Sequence, residues 1–291
     1  MKKLLTFILC LAVLFVYSST CAADAIDTSA VKKLMELKKS SPLLTLAALD
    51  EQLLASDAGG LTMLQGRFKS TENLQRFYAS LTDKDWNLLQ QCEVLLNSLE
   101  VEFSRSKVQL TEITNVLLSD VKLYGVVGAG NTAATASPNS IVLGLEMICE
   151  SDNKAKMRQI LNNYMTHELV HVVQYRLTKR TDFRFNLLEI ALLEGSADYI
   201  SDRLLGDEYI LDDARNRYGD KNVTTLMQSF ESTMLTHDYR PWLYTPIETM
   251  LMDMGYWVGA RLAEAYINNG GSLLALLALE DAGDIFAKSK Q

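Results

Sequence analysis

Histidine, proline and cysteine are all scarce in this 291-residue chain, at three, four and four residues, and each scarcity narrows what the protein can be. Four cysteines cannot build a disulfide scaffold, so the fold depends on a hydrophobic core. Cys10 and Cys21 fall in the first 23 residues, leaving Cys92 and Cys149 to pair or to stay as two buried thiols. Four prolines and no Pro-rich or low-complexity stretch argue against a linker-dominated or repetitive chain. Basic residues number 28 against 36 acidic ones, a formal net charge of −8 that disfavours nucleic acid and anionic membranes as partners. Long apolar runs are absent after Val16. The run from Leu4 to Val16 follows Met1-Lys2-Lys3 and ends in small residues up to Ala23. It is about 13 residues long, short of the roughly 20 a bilayer span needs, and reads as a secretory signal peptide cleaved near Ala23. The mature chain is then expected to be exported, periplasmic or secreted, soluble and free of membrane.

Residues 24–115 show helical apolar spacing, punctuated at Ser40-Ser41-Pro42, at Gly59-Gly60 and at the capping-box pattern Thr82-Asp83-Lys84-Asp85. We take them as an N-terminal helical region and 116–291 as a second domain, the one that carries the candidate functional residues. Between Val108 and Met147 the texture turns β-branched, and Val121–Val127 and Ser140–Leu145 predict a small antiparallel sheet. Residues 153–179 contain no Gly or Pro and predict one helix; a second spans about Asn186 to Leu205 and stops at Gly206. Thr245-Pro246-Ile247-Glu248 predicts the start of a third, reaching Asn268, and a short helix is expected after Ser272. The fold class is α+β and mostly helical.

Two of the three histidines stand in His167-Glu168-Leu169-Val170-His171. Four residues are about 400° of helix rotation, so both imidazoles leave one face and can share a zinc ion. Glu168 beside them can take a proton from water and pass it to a leaving amine. The spacing arises by chance in about 1% of chains this long, so a third ligand is needed to decide. Glu189 and Glu194 compete; about 500° separates them on a helix, and both cannot face one metal. Glu194 is preferred because Asp198, about 40° away on the same face, can accept the free ring N–H of a ligand histidine. Gly195, Ser196 and Ala197 are small enough to let this helix approach the first closely.

His167-Glu168-x-x-His171 followed by Glu194-x-x-x-Asp198 resembles the gluzincin metallopeptidases, in spacing as well as residue type. Leu192–Tyr199 looks like the third-ligand helix of the aminopeptidase N and leukotriene-hydrolase type. Gly255-Tyr256-Trp257-Val258-Gly259 resembles the segment in which those enzymes carry a transition-state tyrosine, Tyr-x-x-Gly. The chain is also similar to bacterial Zn-dependent proteases of the DUF2268-like group. Metzincins are excluded, since Gln174 and Leu177 stand where they need Gly and His; the aminopeptidase subgroup is departed from as well, since its Gly-x-Met-Glu-Asn exopeptidase motif has no counterpart upstream of His167. The resemblance implies a zincin-like fold, one Zn2+ per chain on His167, His171 and Glu194, Glu168 as general base, Asp198 behind a ligand, and a peptide or protein substrate laid along Ala133–Gly144. For the oxyanion donor Tyr256, His237 and Tyr244 remain open, with Tyr256 matching the family pattern. The competing readings are a non-catalytic exported helical binding protein and a zinc hydrolase acting on a non-peptide amide or ester.

Overall fold

The computed structural model describes residues 25–57, 59–178, 184–210, 213–245, 248 and 250–291. The expected signal peptide and its cleavage point lie outside the described residues. A short strand β1 (Ile26–Asp27) leads into α1 (Ser29–Ser40), α2 (Leu46–Ala48), α3 (Gln65–Phe68), α4 (Thr71–Ser80), α5 (Asp83–Asn97) and α6 (Glu100–Thr114). The local signals read from the sequence act as expected here. The chain leaves α1 at extended Ser41, and Thr82 and Asp85 form a reciprocal capping box at the start of α5. Helix α6 ends at Asn115, which adopts the left-handed conformation. Strands β2 (Lys122–Val126), β3 (Ala134–Ser137) and β4 (Ser140–Gly144) follow, then α7 (Leu145–Ile148), α8 (Lys154–Leu177), α9 (Leu187–Leu205), α10 (Asp213–Lys221), α11 (Val223–Thr233), α12 (Met254–Asn268), α13 (Leu273–Ala278) and α14 (Ala282–Ser289). The fold is α+β and mostly helical. No helix among the described residues is long and apolar enough to cross a membrane.

The sheet is mixed, which corrects the expectation of an antiparallel one. Its order is β1-β2-β4-β3; β1 and β4 run parallel to β2, and only β3 and β4 are antiparallel. The reason lies in the connection 127–133. Val126 pairs with Gly144 and Ala134 with Leu143, so β2 ends and β3 begins at one end of the sheet. Residues 127–133 are long enough to pass over one strand position, about 10 Å in all. The β3–β4 hairpin therefore folds with β4 inside, alongside β2. Strand β4 is fully buried, whereas β3 is a half-buried edge. Arg176 near the end of α8 holds this hairpin in place by donating to the Pro138 carbonyl at 2.6 Å and to the Asp120 carboxylate at 3.0 Å.

Buried side chains on both sides of residue 115 share one hydrophobic cluster, from Ile26 to Ile285. Cys92 on α5 and Cys149 after α7 form a disulfide with Cα atoms 6.1 Å apart. It closes a loop of 57 residues, for which the chain-entropy account gives about 4 kcal/mol of stabilisation. Replacing both cysteines by alanine is expected to lower unfolding free energy by about 2–5 kcal/mol in denaturant titration. A loss under about 1 kcal/mol would show that this crosslink contributes little.

Helix α8 begins at its Asn153 cap. Helix α9 has a capping box of Asn186 and Glu189 and stops at Gly206, whose φ of 55° suits glycine. Helices α9 and α12 meet backbone to backbone: a Cβ on Gly259 would stand 1.7 Å from the Ala191 carbonyl oxygen, and one on Gly195 would stand 2.2 Å from the Ala260 nitrogen. Gly195 thus serves the approach of α12, while its neighbour Ser196 faces α8, accepting from Gln174. Helix α12 starts at Met254, later than Thr245. Pro246 and Ile247 of the expected start lie outside the described residues. The Asp253 carboxylate accepts the Tyr244 amide at 2.7 Å, and the Gly255 amide donates to the Trp242 carbonyl at 2.9 Å, tying the start of α12 to residues 242–244.

Candidate metal centre

Helix α8 crosses the molecule buried on nearly every side, and its polar residues must find partners inside. His167, Glu168 and His171 are buried and point potential ligand atoms toward one another, all within 4.8 Å. The imidazole rings are T-shaped with centroids 4.7 Å apart. Helix α9 supplies the facing carboxylate. Glu194 Oε2 stands 3.1 Å from His171 Nε2 and 3.5 Å from His167 Nε2. Glu189 is turned away, its carboxylate accepting the Asn186 amide at 2.8 Å to cap the helix.

The opposite ring nitrogens are held as a metal site requires. His167 Nδ1 lies 2.8 Å from Asp198 Oδ1, and His171 Nδ1 lies 2.6 Å from Gln174 Oε1. The Gln174 amide donates to the Leu193 carbonyl at 2.8 Å and the Ser196 hydroxyl at 3.0 Å, which leaves its oxygen to face the histidine. With a metal bound, each imidazole would carry its proton on Nδ1 and offer the Nε2 lone pair to the centre. Asp198 Oδ2 accepts from Arg215 at 3.3 Å, and the Arg215 guanidinium lies 4.7 Å over the Tyr256 ring. Gln174 entered the sequence reading only as a departure from the metzincin pattern. Its signal was available, because a residue three after His171 shares the histidine's helix face. Arg215 reaches the site from α10, and no local pattern marks it.

Burial alone would lower the His167 pKa, but contact with Asp198 and Glu194 pushes it up to about 10. For His171, burial is likewise outweighed, chiefly by Glu194, and its pKa is raised. Burial would raise the Glu194 carboxyl, yet His171 and His167 hold it well below the ordinary carboxylate range. Glu168 goes the other way: burial raises its carboxyl, and the two histidines only partly offset that. Acidic groups here call for positive charge, and two imidazoles with one carboxylate suit zinc.

Of the three candidate oxyanion donors, two stand at the centre. The Tyr256 ring lies 6.2 Å from the His167 ring, and the Tyr244 hydroxyl donates to Glu194 Oε1 at 2.9 Å. Burial raises the pKa of both phenols, which keeps the O–H in place as a donor. His237 lies elsewhere: it is exposed, its Nδ1 2.8 Å from the Phe185 carbonyl, and it does not line the cleft. That cleft has a volume of about 910 Å³ and is lined by Ala134–Ala136 of β3 and by Tyr239, Tyr244 and Tyr256.

Residues 114–279 match the family model described as "Putative zinc dependent peptidase (DUF5700)". The match runs from the last residue of α6 through α13 and includes every residue of the metal centre. The likeness to the DUF2268-like group rests on the motif alone. No curated protein and no solved structure matches the chain.

Proposed function

We propose, from the premise that the chain belongs to the DUF5700 family of putative zinc dependent peptidases, that it is an exported peptidase of gluzincin type. In this reading His167, His171 and Glu194 hold one zinc ion and Glu168 is the general base. The observation that carries it is the convergence of His167 Nε2 and His171 Nε2 on Glu194 Oε2 beside the buried Glu168 carboxyl. Bound there, zinc supplies Lewis acidity toward water and the scissile carbonyl.

The chain's own residues supply the remaining steps. Glu168 takes the proton of the attacking water and delivers it to the leaving amine; a carboxyl raised by burial is suited to both transfers near neutral pH. Asp198 and Gln174 fix the two imidazoles. A phenol O–H donates to the developing oxyanion, and Tyr256 is our choice. The half-buried edge strand β3, which lines the cleft and has no further strand beside it among the described residues, suits an extended peptide that adds as a further strand. Incubating mature protein with an unbiased peptide library, followed by mass spectrometry with and without chelator, tests the proposal. Chelator-sensitive cleavage is expected, and an untouched library would refute it.

The two tyrosines separate by readout. Tyr256→Phe should keep zinc and lower kcat by about 10²–10³-fold with little change in KM, the usual loss for one oxyanion donor. Tyr244→Phe removes a hydrogen bond to Glu194 and should weaken zinc affinity by about 10–100-fold, as for other partners that orient a ligand. If steady-state kinetics put the kcat loss on Tyr244→Phe with zinc affinity intact, the roles are reversed.

A further inference from the structure

One cation in the cleft belongs to neither the metal centre nor the family-matched residues. Arg67 sits in α3, within a segment pinned to the sheet hairpin. Its carbonyl accepts from Asn131 Nδ2 at 3.0 Å, the Ser140 hydroxyl donates to Met63 Sδ at 3.3 Å, and Leu64 and Phe68 are buried on either side. The backbone of Arg67 is therefore fixed, while its side chain is exposed and lines the same cleft as Glu168, Glu194 and the β3 residues Ala134–Ala136.

Among the described residues the Arg67 guanidinium makes no hydrogen bond or ion pair, although four carboxylates, Glu168, Glu194, Asp198 and Asp253, line the cleft with it. Arg215, the other cleft arginine, is committed to Asp198 and the Tyr256 ring. A permanently charged, planar donor set on a fixed backbone, facing a substrate-sized cleft, felt electrostatically by Glu168 and Tyr175 but hydrogen-bonded to no described side chain, fits a carboxylate brought in from outside. Its position suits that use. Asn131, which holds the Arg67 carbonyl, stands just before β3, so a peptide laid along that edge passes Arg67 at one end.

We propose that Arg67 is a specificity-determining residue that binds a carboxylate of the peptide substrate, from an acidic side chain or from the free C-terminus. This rests on the peptidase reading of the cleft. It also gives the N-terminal helical region a part in catalysis, because residue 67 precedes the matched span 114–279. Selectivity would then be set by a segment other than the one that carries the chemistry.

The test uses sets of peptides alike except for Glu, Gln or Lys at each position in turn, each with a free and an amidated C-terminus. Cleavage kinetics are measured with the parent, Arg67→Ala and Arg67→Glu proteins, and fluorescence-anisotropy binding with Glu168→Gln protein with and without Arg67→Ala. The parent should favour a carboxylate-bearing peptide by about 10-fold or more in kcat/KM, the scale of one charge-assisted pair. Arg67→Ala should erase that preference through KM, and Arg67→Glu should turn it toward Lys. Loss of the Glu-over-Gln preference assigns a side-chain carboxylate, and loss of the free-over-amidated preference assigns the C-terminus. A parent without preference, or an Arg67→Ala protein that keeps it, overturns the proposal. If the parent cleaves nothing, the peptidase reading fails, and equal binding of the Glu and Gln and of the free and amidated peptides by Glu168→Gln protein would then overturn the Arg67 assignment as well.

Discussion

Glu168→Gln should retain one zinc per chain and lose peptide hydrolysis by about 10²–10⁴-fold, the range for removal of a general acid–base group. The substitution keeps the size and one carbonyl oxygen, so the buried site can close as before. It removes the ability to accept and return a proton. Glu168 lies in the same buried group as His167 and His171, so the simplest objection is that it is itself a ligand. The position of Glu194 argues against that, since its Oε2 faces both Nε2 atoms, 3.1 Å from His171 and 3.5 Å from His167. Zinc loss from Glu168→Gln would reassign it as a ligand, and near-parental turnover would remove it from the chemistry.

Glu194→Ala should lower zinc affinity by more than the about 10–100-fold that loss of an orienting partner costs, because a ligand itself is removed. Glu189→Ala should leave affinity nearly unchanged and act on stability, by about 0.5–2 kcal/mol, as loss of a cap contact does. Asp198→Asn falls between, at about 10–100-fold in affinity or activity. Competition with a chromogenic chelator measures all three. A zinc-replete Glu194→Ala protein, or a zinc-free Glu189→Ala protein, would overturn the assignment on α9.

The helix rotation argument placed Glu194 and Asp198 on one face, and both carboxylates meet the histidines in the structure. That much was legible because periodicity within one helix is a local property, as are the caps Thr82, Asn153 and Asn186. What could not be read is set by distant segments. The parallel pairing of β2 with β4 depends on how the connection 127–133 passes over a strand, not on any strand's composition. Helix α12 begins at Met254, beside an Asp253 that accepts the Tyr244 amide nine residues back, a contact that no local pattern marks. Gly195 was correctly marked as permitting close approach but paired with the wrong helix, since only the tertiary fold brings Gly259 against it. Arg67 and Arg215 carry no motif at all; each is placed at the cleft by a short element from elsewhere in the chain.

The central claim is that His167, His171 and Glu194 form a zinc site, and it is tested most directly by the zinc content of the mature protein purified without added metal or chelator. The account predicts a zinc-to-protein ratio near one for the parent chain. A parent protein that contains no zinc and takes up none at micromolar concentration would contradict it.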